Sequence, residues 1–359
     1  MAYTERYVTD AGAGANDGTS VANAWSWATM LTSIVGGERA NVIGAISRMT
    51  TTDVFSNNGT ASAPIALRGM NSVLGDLDGL GRTSNSGALI TTNFPVITYT
   101  TGRLKAPQYF DFSRFVLTSA ATAQAFECGD YGTIYGAKVT NTNASGAASR
   151  GILSSSDYAT ISDCDAAAHS SVTTNPAIYI ARGVVDHCRI DNESNGSCGI
   201  YALNTTGAAA NCQIMNAGRG IYAAGNYTSF VNMSFRNITG EVFYHTAGHL
   251  NASNCVAWGN NGSDQFYGSA AVRAHRFQKC AVGNMGAVNT NEGDWPNVDS
   301  VTLTADPFTS ASDLGLNSTA GGGSACKGVG MFGNDIGAIQ TPASGGILLP
   351  RGNNGGLSQ

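Results

Sequence analysis

Charge is scarce in this chain: Asp, Glu, Lys and Arg make up 12% of its 359 residues, with a net charge of −5 and a pI near 5.5. No basic stripe is available to meet a phosphate backbone, so nucleic acid is not an expected partner. No stretch approaches eighteen consecutive apolar residues, which excludes a helical membrane span. The opening MAYTERYVTDAG lacks a basic segment followed by an apolar one, so no signal peptide is expected. Regular leucines and long amphipathic stretches are missing too, which argues against leucine-rich and helical repeats. The five histidines are scattered and no His/Cys spacing fits a zinc site, so neither a metal nor a cofactor is expected.

What the chain has instead is self-similarity. VDHCRIDNES at 185–194 and AANCQIMNAG at 209–218 place Cys, Ile and Asn at the same relative positions. Further copies surround Cys164, Met233, Cys255 and Cys280, and the steps along Cys164, Cys188, Cys212, Met233, Cys255 and Cys280 are 24, 24, 21, 22 and 25 residues. A period in the twenties marks a solenoid, in which each repeat stacks on its neighbours because it cannot bury an apolar face alone. Short Val/Ile/Phe/Tyr runs between small polar residues and glycines fit strands with tight turns. The recurring cysteines therefore read as an internal thiol column rather than a disulfide framework.

Side chains alternate faces along a strand. The column two places after the thiols reads Val139, Ala166, Ile190, Ile214, Phe235, Ala257 and Val282, an enclosed core. The residues between, Lys138, Asp165, Arg189, Gln213 and Ser234 among them, are expected to face solvent. Four places after the thiols stand Asn141, Asn192, Asn216, Asn237 and Asn284, where a bend with a left-handed residue and a ladder of stacked amides is expected. GIYAL at 199–203 and GIYAA at 220–224 mark a second recurrent strand, with VFYHT and QFYGS as looser copies. These features divide the chain into an N-terminal cap over 1–40 with a helix at about 23–35, coils of about 21–27 residues over 41–304, a C-terminal cap over 305–340 and a tail over 341–359.

YVTDAGAGANDGTSVANAW near the start, with DPFTSASDLGLN and NDIGAIQ near the end, resembles the entry and exit motifs of right-handed parallel β-helix proteins of the pectate-lyase-like superfamily. The resemblance spans nearly the whole chain and implies an all-β, single-stranded parallel β-helix solenoid. Members include lyases, hydrolases, phage tailspikes and inert structural proteins, so the motifs specify fold rather than function. Galacturonan hydrolases of the superfamily carry paired Asp motifs with a His-Gly and an Arg-x-Lys, and none of the three is expected here. Its lyases use a Lys or Arg base beside acidic calcium ligands. The nearest cluster is Asp163 and Asp165 stacked on His187 and Arg189 one coil later, which a surface charge ladder explains as well as catalysis does.

Two other stretches stand out. RAHRFQK brings Arg273, His275, Arg276 and Lys279 together and could meet an anionic polysaccharide or a subunit, while GDLDG at 75–79 lacks the further ligands of a calcium loop and reads as a turn. Without a catalytic pair or a signal peptide, the expected function is a non-enzymatic phage virion protein, capsid decoration above all, assembled in the host cytoplasm. Other capsid or tail proteins are its expected partners, with a homotrimer and a surface polysaccharide also considered. Ile347, Leu348 and Leu349 in the tail are the expected assembly contact. The alternative is a tailspike-like β-helix that binds or degrades polysaccharide, as lyase or hydrolase.

Overall fold

The computed structural model describes residues 2–339 apart from 49–50, 71–81, 85–86, 146–147, 156–157, 226, 260–263, 269–271, 284–286, 290–296 and 299–300. Asn284, the GDLDG stretch and the triplet Ile347, Leu348 and Leu349 lie outside the described residues. The chain is an all-β parallel solenoid, a right-handed β-helix. Its strands pair in parallel with the strands one coil away, as Lys138–Asn141 does with Asp165–Ala168 and Ala159–Ser162 with Pro176–Asp186.

One coil gives the pattern. Pro176–Asp186 supplies a strand to a first sheet, bends at Gly183 and supplies a second; Arg189–Ala210 then opens on a third sheet and returns to the first. Gly183 has φ 125, and a Cβ there would come within 2.1 Å of the Ala159 carbonyl oxygen, so only glycine fits this crossing. The bend between the second and third sheets is built from a left-handed residue in coil after coil: Asp163, His187, Asn211, Asn232, Asn254 and Lys279, with φ between 51 and 55. Three of these are asparagines whose amides stack, Asn232 donating to Asn211 at 2.8 Å and Asn254 to Asn232 at 3.2 Å.

The sequence-assigned asparagine column divides. Asn216 and Asn237 are left-handed, and the Asn237 side-chain amide donates a hydrogen bond to Asn216 Oδ1 at 3.1 Å. Asn141 and Asn192 are fully buried and donate inward, to the carbonyls of Ala123 at 2.6 Å and Cys198 at 2.9 Å. Directly after the second-sheet bend come Cys164, Cys188, Cys212, Met233, Cys255 and Cys280, all at most 3% exposed, and the cysteines are free thiols. Burial pushes the Cys164, Cys212 and Cys255 thiols well above their ordinary range.

At the N-terminal end the helix is shorter than expected, Trp27–Ser33, because Val21–Asn23 forms a 3-10 turn and Trp25–Ser26 pairs as a strand with Val8 and Thr9. The Ser26 hydroxyl caps it by accepting from the Thr29 amide. Trp27, Met30, Leu31 and Ile34 close the first coil against Val8 and Val42. At the other end, residues 303–338 lie along the outer face of the third sheet. Leu303, Phe308, Leu314, Cys326 and Ile336 cover the outward side chains Met215, Val256 and Ala281. Polar contacts fix the segment there: Arg236 pairs with Asp306 at 2.8 Å, and the Ala338 amide donates to the Ser234 hydroxyl at 2.9 Å. The physical reason is that outward positions of this part of the third sheet carry apolar Met215, Val256, Trp258 and Ala281, which need cover.

Candidate functional site

Below that cover, the third sheet stays open over the strands Val116–Ser119, Lys138–Asn141, Asp165–Ala168 and the start of Arg189–Ala210. Their outward residues floor a cleft of about 350 Å³. Val116, Lys138, Asp165 and Arg189 stand in register across four coils, and Thr142, His169 and Glu193 rim the cleft beyond the strand ends. The opposite wall is a short segment described at Arg82, Ala88 and Leu89, of which Ala88 lines the cleft.

Asp165, expected at the surface, is only 5% exposed because that segment folds over it. Arg82 Nη1 donates to its Oδ1 at 2.7 Å and the Leu89 amide to its Oδ2 at 2.7 Å. Arg82 also reaches the carbonyls of Gly87 at 3.1 Å and His187 at 3.3 Å. Asp165 thus holds the wall in place and is not the ion-pair partner of Arg189, although the two are in register. Arg189 Nη2 instead donates to Asp191 Oδ2 at 2.9 Å, while its buried Nε has no hydrogen-bond partner. Asp191 Oδ1 accepts from the Asn216 amide at 2.9 Å and the Glu193 backbone at 3.2 Å. His169 Nε2 lies 3.3 Å from Glu193 Oε2 without aligning as a hydrogen bond. Lys138 is exposed and makes no ion pair with a described residue.

Of the four sequence candidates, Asp165 and Arg189 reach the cleft. Asp163 and His187 occupy the left-handed bend, with His187 Nδ1 2.7 Å from Asp186 Oδ2. The sequence reading missed Lys138, His169, Asp191 and Glu193 as a cluster. Lys138 was visible as the residue in register with Asp165, and His169 and Glu193 recur five places after Cys164 and Cys188. Contrary to the expectation that the chain has no Arg-x-Lys, one exists at Arg103-Leu104-Lys105, on the first sheet and outside the cleft. The RAHRFQK run falls on the strand Val272–Gln278, with Arg276 exposed and Lys279 in the left-handed bend; the side chains of Arg273 and His275 lie outside the described residues.

These carboxylates do not fit the calcium site that the superfamily's lyases imply. Both oxygens of Asp165 and both of Asp191 are engaged by protein donors, and no cluster of three or more His, Cys, Asp and Glu among the described residues is placed to hold a metal ion.

No protein-family model matches the chain, and no curated protein matches it by sequence. Solved structures do. A pectate lyase, Pel9A, superposes with a TM-score of 0.68 at 14% identity, covering 94% of this chain and 96% of the other. A rhamnogalacturonan lyase gives 0.61 at 14% identity, covering 86% and 91%. The chain has the pectate-lyase-like fold. The expectation of a non-enzymatic virion protein is corrected by the same comparison: both structures are of polysaccharide lyases, which favours the degradative alternative. That expectation leaned on the ends of the chain and on the missing Asp pair, and neither bears on a cleft built around a lysine.

Proposed function

We propose that this β-helix degrades an acidic polysaccharide by β-elimination in the third-sheet cleft. The observation that carries the reading is Lys138, the one cation lining the cleft that no described residue neutralises. Pectate and rhamnogalacturonan, named for the two similar structures, define the substrate class to test first.

The chemistry follows from what each group has left to offer. A uronate over Lys138 and Arg189, whose backbones lie two rungs or about 10 Å apart, meets an amine on one side and, on the other, a guanidinium that Asp191 holds in place. The positive charge of Arg189 near the sugar carboxylate makes the proton on C5 more acidic. Lys138, as the free amine, takes that proton; its electron pair forms the C4–C5 double bond, the C4–O4 bond breaks, and the leaving oxygen takes a proton from water. Hydrolysis is disfavoured because it needs two available carboxylates about 5–10 Å apart, and Asp165 and Asp191 are both committed to internal partners.

Incubation with polygalacturonate and with rhamnogalacturonan should release unsaturated uronate ends, read by their ultraviolet absorbance. Lys138→Ala should lower the rate by about 10²-fold or more, the loss typical of a removed general base, without changing the circular dichroism. Saturated reducing ends, or full activity in Lys138→Ala, would overturn the mechanism.

A further inference from the structure

Around the edge from the cleft, the outer face of the first sheet carries a continuous column in register: Lys105, Glu127, Leu153, Tyr179, Tyr201, Tyr222 and Tyr244. The four tyrosines stack with ring centroids 5.0, 4.5 and 4.8 Å apart. Arginines lie against both ends of this stack, Arg150 with its guanidinium 4.7 Å from the Tyr179 ring and Arg219 4.0 Å from that of Tyr244.

The charges on this face do not cancel. Arg103 and Lys105 share the single carboxylate of Glu127 at 3.4 and 2.9 Å, Arg219 pairs with Glu241 at 2.6 Å, and Arg150 pairs with no carboxylate among the described residues. Four cations against two anions leave an excess of two positive charges on a chain whose net charge is −5. Lys105 and Arg103 remain 45% and 30% exposed while holding Glu127. Rungs recur about every 4.8 Å along the column, a spacing comparable to one sugar residue of an extended chain.

We infer that this face is a second, non-catalytic seat for an acidic polysaccharide, in which Lys105, Arg103 and Arg150 contact carboxylates and the tyrosine ladder offers hydroxyls and flat ring edges. The inference rests on the proposed action on acidic polysaccharide and deepens it: the same polymer is held outside the cleft that cuts it. Electrostatic complementarity of this kind sets affinity for the polymer and leaves the chemical step alone.

The test uses the whole chain, with polygalacturonate and rhamnogalacturonan as polymers, dextran as the neutral control, and affinity electrophoresis for binding. Lys105→Gln combined with Arg150→Gln should weaken retention by an acidic polymer about five- to thirtyfold, the loss of two exposed charge contacts, and raise KM for that polymer with kcat kept. Activity on a short oligouronide should not change. Lys138→Ala should bind the polymer like wild type while losing turnover, which separates this face from the cleft. Equal retention of wild type and the double variant, or equal retention by dextran, would overturn the second seat and leave the cleft reading standing. A wild-type protein that neither binds nor cuts either acidic polymer overturns both.

Discussion

Arg82→Met is the sharpest structural perturbation available, because one side chain spans 83 residues of sequence to hold the cleft wall on Asp165. Asp165 is 5% exposed and keeps two donors, Arg82 Nη1 and the Leu89 amide, each at 2.7 Å. Removing the guanidinium strands a buried carboxylate with a single amide, a change that costs about 3–5 kcal/mol when one partner of a buried pair is deleted. The lower end applies here, since Arg82 itself is 17% exposed and water can reach the gap. A solenoid opens locally before it unfolds as a whole, so the proper readout is hydrogen exchange at Leu89, the amide that donates to Asp165. A loss of about 3 kcal/mol appears there as roughly a hundredfold faster exchange. Arg82→Lys, which keeps a cation beside Asp165 and leaves the acceptor of the Leu89 amide in place, should recover most of that protection. If Arg82→Met alters Leu89 protection by less than about threefold, or Arg82→Lys is no better than Arg82→Met, the ion pair does not hold the wall.

Neighbouring residues on one strand should behave oppositely. Ile214→Asp places an unpaired charge in a fully enclosed core and should cost more than about 4 kcal/mol. Gln213→Met should be neutral or stabilising by about 1 kcal/mol, because the outward Gln213 is 4% exposed with its Oε1 unsatisfied; chemical denaturation of both variants decides, and comparable damage from the two would refute the facing assigned to this strand. His245 is buried inside the coil, where burial lowers its pKa and outweighs the raising effect of the Ala247 and Gly225 backbones. Its neutral form therefore supports the fold fully above the unfolded-state value of about 6.5, and stability falls as pH drops below it, by at most about 1.4 kcal/mol per pH unit from this one group. His245→Gln should flatten the wild-type slope of stability between pH 7 and 5; an unchanged slope would show that His245 titrates alike in both states.

The parts of the fold that repeat were legible in the sequence, because stacking forces the same residue type into the same place. Cys188 and Cys212 mark the inward column, Ile190 and Ile214 the next inward position, and GIYAL and GIYAA the strand whose tyrosines stack at 4.5 Å. Where the demand is on the backbone alone, the signal weakens: the left-handed bend accepts Asp163, His187 and Lys279 as readily as Asn211, Asn232 and Asn254. The cleft was half legible for a related reason. Lys138, Asp165 and Arg189 share a register that the period reveals, but the wall that buries Asp165 comes from a non-repeating segment far away in sequence. The same holds for the cover laid by residues 303–338 on Met215, Val256 and Ala281, which alternation alone would assign to solvent.

That cover sets an order of events during synthesis. Met215, Val256 and Ala281 leave the ribosome before Leu303, Phe308, Leu314 and Ile336, the residues that shelter them. Until the last of these emerges, coils that are already hydrogen-bonded to one another display an apolar strip along one flank. Such transiently bare surface is where growing chains stick to each other. A ribosome stalled before residue 303 therefore holds a rod that is complete in its rungs and adhesive along one side, and release of the final segment turns the same rod into a soluble one.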